Sequence, residues 1–258
     1  LRSASTTTVD MAYTTGDRIL LKGMFDKYST LISILPTATS TQTFNFVAAT
    51  DNDGNNYTTV TIGTQVWMVE NLKVTTYNDG TAIPNVTDAT AWAALTTGAY
   101  CDYSNLAANG AKYGYLYNWY AVNTGKLAPA GWHVPTNTEW TTLENYLIAN
   151  GYNYDGSTTG NYIAKSLAAK TDWTASTTTG AIGNDLTLNN STGFSALPGG
   201  YRNNNGSFYY LGLIGNWWSA AEYSSAGAWG RSLDYSGSIL GSGDDYKGYG
   251  FSVRCVRD

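Results

Sequence analysis

Charge is scarce in this sequence. Lys, Arg, Asp and Glu make up 13% of the 258 residues, about half the usual share, and 14 Lys+Arg against 19 Asp+Glu leave a net charge of −5. The basic footprint of a nucleic-acid binder is therefore absent. Histidine occurs once, as His133, so no imidazole-pair metal site can be built. A Ser-His-Asp triad could be assembled only around that residue, which sits in a Trp-His-Val-Pro segment and reads as a buried structural histidine. The two cysteines, Cys101 and Cys255, are too few for a disulfide scaffold and too far apart for a CxxC motif. One bridge between them and two free thiols both remain open. The chain has no apolar run of the ~18 to 20 residues a membrane helix needs, and its densest aliphatic stretch, Leu31 to Leu35, contains Ser33. No membrane insertion is expected. The chain begins at Leu1 without a basic-then-apolar leader, so targeting is not read from its start. The clusters Gly199-Gly200 and Gly241-Ser-Gly243 lack phosphate-loop spacing, and nothing selects a carboxylate pair for glycosidase chemistry. Neither cofactor nor metal is expected.

What is abundant is aromatic surface, with 21 Tyr and 9 Trp. These rings supply the buriable area that a hydrophobic content of 43% would otherwise leave short, so the chain folds. Thr, Asn, Gly, Ser and Tyr dominate the rest, a composition closer to extracellular or virion-surface proteins than to cytosolic enzymes.

Along the chain, Leu21, Met24, Tyr28, Leu31 and Leu35 recur at spacings of three and four. The spacing predicts an amphipathic helix over Asp17 to Leu35, ended by Pro36. It would pack on its own domain or join subunits as a stalk, in which case a trimer is the expected homo-oligomer. Residues 36–50 read as a linker, so residues 1–50 form an appendage and 51–258 the main module. That module opens on a turn, Asp51 to Tyr57, followed by hairpin material from Tyr57 to Leu72. The turn is not an EF-hand, because Gly54 stands at position four and no Glu follows at position twelve. Thr136 and Glu139 form a capping box after Pro135. Trp140, Leu143 and Leu147 line one face of the helix this starts, and Asn150-Gly151 ends it. A short helix is predicted over Tyr162 to Ala169, and strands follow Phe194. The fold class is α+β.

A set of ordered motifs carries a resemblance: Val66-Trp-Met-Val-Glu-Asn-Leu72, Tyr77-Asn-Asp-Gly80, Tyr113-Gly-Tyr-Leu-Tyr-Asn-Trp-Tyr120, Gly131-Trp-His-Val-Pro-Thr136, Leu197-Pro-Gly-Gly-Tyr-Arg202, Trp217-Trp-Ser219 and Gly250-Phe-Ser-Val-Arg-Cys255. Together they resemble the FISUMP family, the major paralogous domain of Fibrobacter succinogenes, over roughly residues 51–258. The stretch Val134 to Trp140 also looks like the helix entry of formylglycine-generating enzymes, which implies a C-type lectin-like fold. Copies of the FISUMP domain commonly carry a Cys where Ala128 stands, which leaves the partner of Cys255 open. The end of the chain is similar to variable proteins of diversity-generating retroelements. In those proteins the last strands and loops of a lectin-like domain are mutated at adenines, and AAC and AAT codons so mutated yield Tyr, Ser, Asp and Gly among others.

Strand alternation from Ala228 to Ser236 would put Trp229, Arg231, Leu233 and Tyr235 on an anchored side and Gly230, Ser232, Asp234 and Ser236 on a presented one. The candidate ligand-binding residues are Tyr210, Tyr223, Ser224, Gly230, Ser232, Asp234, Asp244, Asp245, Tyr246 and Tyr249. Trp217, Trp218 and Trp229 read as core. The expected function is noncatalytic recognition of a cell-surface protein or glycan receptor by an extracellular protein, on a bacterial surface or a phage tail. The alternatives are a structural cell-surface module without a specific ligand and a formylglycine-generating-type oxidase. The latter works through neighbouring cysteines, whereas Cys101 and Cys255 are far apart in sequence.

Overall fold

A computed structural model describes residues 12–38 and 40–258; the first part of the expected appendage lies outside them. Strands β1 (Ile19–Phe25) and β2 (Tyr28–Ile34) come first, then β3 (Thr59–Ile62) and β4 (Gln65–Met68). Helix α1 (Ala89–Ala93), strand β5 (Tyr100–Cys101), helix α2 (Ala107–Tyr113), strand β6 (Leu116–Tyr117), helix α3 (Trp119–Val122) and strand β7 (Trp132–His133) lead to α4 (Asn137–Ala149), the longest helix. After α5 (Ala164–Leu167) the chain is strands: β8 (Tyr201–Arg202), β9 (Phe208–Tyr209), β10 (Ile214–Glu222), β11 (Gly227–Asp234), β12 (Gly241–Tyr246) and β13 (Val256–Arg257). The protein is mixed α+β, mostly sheet.

The helix expected over Asp17 to Leu35 is instead the hairpin β1–β2, with Phe25 paired to Tyr28. Asp26, at φ 53°, takes the left-handed first position of a two-residue turn and reverses the chain where the heptad reading ran straight through. A stretch with Ile and Thr spread through it also favours the pleat. The stalk behind the trimer expectation is thus not formed by these residues. β2 lies parallel to β3, Thr30 beside Thr59, so the hairpin is one edge of a six-stranded sheet ordered β1-β2-β3-β4-β13-β7. A second sheet runs β10-β11-β12, and β5-β6 and β8-β9 are two-stranded.

Helix α4 forms as its sequence dictates. Both halves of the Thr136–Glu139 capping box are made, Trp140, Leu143 and Leu147 are buried, and Gly151 adopts φ 68° just beyond the end. The short helix near residue 165 is trimmed to Ala164–Leu167. The hairpin β3–β4 is also where the sequence places it.

Consecutive residues of a strand face opposite ways, and the aromatic pairs exploit this. Trp67 and Trp217 enter one core cluster, with Trp140, Phe194 and Leu143, while their neighbours Met68 and Trp218 enter another, with Tyr117, Trp119, Trp132 and Phe251. The segment from Gly250 to Val256 ties the sheets together. Gly250 bridges Arg202, Phe251 bridges Tyr117, Ser252 bridges Trp217, and Val256 pairs with both Trp67 and His133. The Asp51 turn is closed on itself: the Asp51 carboxylate accepts hydrogen bonds from the Asp53 and Asn55 amides and from the Tyr57 hydroxyl at 2.6 Å.

Candidate functional site

The candidate site begins at the hairpin β8–β9, where Tyr201 pairs with Tyr209 and Arg202 with Phe208. Gly200 makes this possible. At φ 63°, a Cβ there would lie 2.5 Å from the Tyr209 carbonyl and 2.9 Å from the Leu211 amide. The hairpin lays Tyr201 against Tyr209 at 5.8 Å and Tyr210 at 5.9 Å between ring centroids. The bridge from Arg202 to Gly250 brings in Tyr249, which stacks on Tyr201 at 5.7 Å, and Tyr249 meets Tyr246 edge-on, also at 5.7 Å. Five tyrosine rings from two separate chain segments thus form one continuous surface. Tyr209, Tyr210 and Tyr246 are exposed, and Tyr201 and Tyr249 are half-buried.

Beneath the rings lies a rigid support. Phe251 touches both Tyr201 and Tyr249 at 5.8 Å and stacks on buried Trp218 at 4.3 Å. Burial first, and then the nearby Tyr249 hydroxyl, raise the Tyr201 hydroxyl above its ordinary value, and burial does the same at Tyr249. Both therefore stay neutral hydrogen-bond donors at physiological pH.

At the Tyr246 end a cavity of about 340 Å³ is lined by Ser224, Gly227, Asp244, Asp245, Tyr246 and Tyr249. Its turn is set by the Ser224 hydroxyl, which accepts hydrogen bonds from the Ala226 and Gly227 amides. Lys247 points inward, bonded to Glu222 and the Ser225 carbonyl beneath the turn. Tyr223 packs edge-on against half-buried Trp229, the cross-strand neighbour of Asp244.

The structure therefore brings Tyr210, Ser224, Asp244, Asp245, Tyr246 and Tyr249 together, with Tyr223 alongside, puts Gly230 beneath them, and sets Ser232 and Asp234 apart. Gly230 is buried, not presented. A Cβ there would meet the Asp245 carboxylate at 3.3 Å and Phe251 at 3.4 Å. Ser232 is half-buried opposite Gly241, and Asp234 binds the Ser236 amide and hydroxyl to close a turn about 20 Å along β11 from Gly227. Alternation misleads here because β11 is the central strand and is covered on both sides, by Phe251 at Gly230 and by core packing at Leu233. Tyr201 and Tyr209 were missed. Tyr201 lies inside Leu197 to Arg202, one of the motifs that carry the family resemblance, and only the Tyr209-Tyr210 doublet gave a local sign of display.

A larger cavity, about 880 Å³, lies between the start of β1 and the loops of residues 151–191. Two of the three cations that line it are engaged internally, while Lys170 is exposed at its edge. Lys165 is buried among the carbonyls of Ala181, Ile182, Asn184 and Asp185, and Arg18 lies 3.7 Å from the Tyr152 ring.

A family model described as the Fibrobacter succinogenes major domain matches residues 60–257. The chain belongs to this family. No curated protein and no solved structure matches it. In this Fibrobacter succinogenes major domain, the motifs that carry the resemblance are largely framework. Trp67, Met68, Tyr117, Trp119, Trp132, Arg202, Trp217, Trp218, Phe251 and Cys255 are all buried. Both cysteines are free, and burial pushes the Cys101 thiol up to about 12 and raises Cys255 further.

His133 is also not the buried residue expected. It is half-exposed, with Nδ1 2.7 Å from Asp258 and Nε2 2.7 Å from Glu139. Partial burial pulls its pKa down, but the two carboxylates outweigh this and leave it raised above 6.5. A raised folded-state value means the pairing stabilises fully below the unfolded value of about 6.5 and fades as pH rises through the folded one. Chemical denaturation at pH 6 and pH 9 is therefore expected to show a loss of less than about 1 kcal/mol that His133→Gln removes. An equal loss in that variant would place the pH dependence elsewhere.

Proposed function

We propose that this domain is a noncatalytic recognition module with a C-type lectin-like fold, and that its ligand face is the surface formed by Tyr201, Tyr209, Tyr210, Tyr246 and Tyr249. The continuity of these rings over a Trp218–Phe251 base carries the reading. Tyrosine offers a large amphipathic contact with few rotors, and a face held by a packed sheet loses little entropy on binding. The ligand is a receptor protein or glycan, met outside the cell by a bacterial surface protein or a phage tail tip. The diversification reading attaches to the same face. Tyr210, Tyr223, Ser224, Asp244, Asp245, Tyr246 and Tyr249 are all residue types that adenine mutation of AAC or AAT codons produces.

Oxidase chemistry of the formylglycine type is disfavoured by the thiols, which are buried, neutral and in different core clusters. The test of recognition is a triple variant, Tyr209→Ser, Tyr210→Ser and Tyr246→Ser, confined to exposed rings. Against a panel of bacterial cells and a glycan array, the full chain is expected to bind at least one target and the variant to bind it at least tenfold more weakly, with Tm changed by only a few degrees. Undiminished binding by a folded variant would overturn the reading.

A further inference from the structure

The tyrosine face has a charge pattern that restricts what it takes. Asp244 and Asp245 both line the cavity at its end, and neither enters any ion pair among the described residues. The nearby cations are all committed elsewhere. Lys247 is held by Glu222 and the Ser225 carbonyl, 5.0 Å from the centre of the Trp119 ring. Arg202 is buried on the carbonyls of Gly206, Val86 and Thr87, and Arg231 is buried on that of Gly230. The face is thus aromatic with two uncompensated carboxylates, one of them half-buried. Burial, and then the charge of Asp244, raises the Asp245 carboxyl above the usual carboxylate range, the sign of a negative group short of partners.

Carboxylate and tyrosine ring select for the same thing. A ring face attracts cations, and a planar guanidinium can stack on it while donating two parallel hydrogen bonds to a carboxylate. An ammonium does only part of this, and a neutral sugar leaves both charges uncompensated. Resting on the recognition reading and deepening it, we infer that the cavity is an arginine pocket: a protein partner inserts a guanidinium against Tyr246 and Tyr249 and onto Asp245, with Asp244, which faces the other side of β12, adding negative charge at the strand edge. The occupant is accordingly a basic protein surface and not a glycan.

The experiment uses the full chain labelled with ¹⁵N and two near-isosteric probes, N-acetyl-arginine amide and N-acetyl-citrulline amide, which differ in charge. The arginine probe is expected to give saturable shifts at the Ser224, Gly227, Asp245 and Tyr246 amides, with an affinity at least fivefold above that of the citrulline probe. The double variant Asp244→Asn, Asp245→Asn should erase the difference. Its amide spectrum should stay native, since neither carboxylate pairs with another group in the fold. Equal response to both probes, no saturable shift, or saturation of the same amides by methyl glycosides would each overturn the arginine pocket. Recognition fails separately. If panel binding survives the Asp variant but is lost in the triple Tyr variant, the face binds without an arginine; if it survives both, the face is not the binding surface.

Discussion

Replacing Arg202 with methionine is expected to lower the unfolding free energy by about 2–4 kcal/mol, because one buried and two partly buried carbonyls lose their fully buried donor at once. The guanidinium is fully buried and meets no carboxylate. Nε donates to Gly206 at 2.9 Å, and the two terminal nitrogens donate to Val86 at 2.6 Å and Thr87 at 2.9 Å. Its plane lies between Trp92 and Phe208, 4.5 and 4.8 Å from the ring centres. Methionine fills most of the volume but donates nothing. Lysine should fare little better, since a point ammonium does not reproduce the planar fork that spans Gly206 on one segment and Val86-Thr87 on another. Urea denaturation checks this, and a midpoint shift worth less than about 1 kcal/mol would remove the carbonyl account. Arg202 is paired with Phe208 and bridged to Gly250, so the same change should also loosen the hairpin that carries Tyr201 and Tyr209.

The second large effect is at Trp218. Truncation to alanine is expected to cost about 3–5 kcal/mol, the usual range for emptying a buried indole site, and about 10 °C in Tm for a domain of this size. Trp218 is wholly buried, donates from its indole nitrogen to the Tyr117 carbonyl at 2.8 Å, and stacks on Phe251. Phe251 is in turn the base beneath Tyr201 and Tyr249, so ligand affinity should fall together with stability. At half-exposed Trp229 the same truncation should cost clearly less. Calorimetry on the two variants decides, and equal losses would contradict the division between support and surface.

Much of this was legible in the sequence. The capping box placed α4 to the residue because Thr136 and Glu139 satisfy each other's backbone locally, without help from the rest of the fold. Trp217 and Trp218 could be assigned to the interior from type alone, since a chain poor in aliphatic runs must build its core from rings, but the same argument placed Trp229 in the core, where the structure leaves it half-exposed. The hairpin β1–β2 could not be read so easily. Spacings of three and four over so short a stretch fit two structures, and Asp26-Lys27 is a weaker turn signal than Asn-Gly. Gly230 failed for a different reason: alternation tells which residues share a side, never whether that side is wet. The tyrosine face was half legible. Tyr246 and Tyr249 announce themselves in a loop of small residues, whereas Tyr201 joins them only through the pairing of Arg202 with Gly250, a contact that no local pattern encodes.

The course of Gly250 to Val256 bears on how the molecule is made. These residues are made after the rest of the domain, yet they supply Phe251, Val253 and Cys255 to the interior and bridge segments as early as Trp67 and Tyr117. A nascent chain that has not yet released them holds an unfinished core with its tryptophans wet. Closure must therefore follow their synthesis, and a growing polypeptide is open to chaperones and proteases until then.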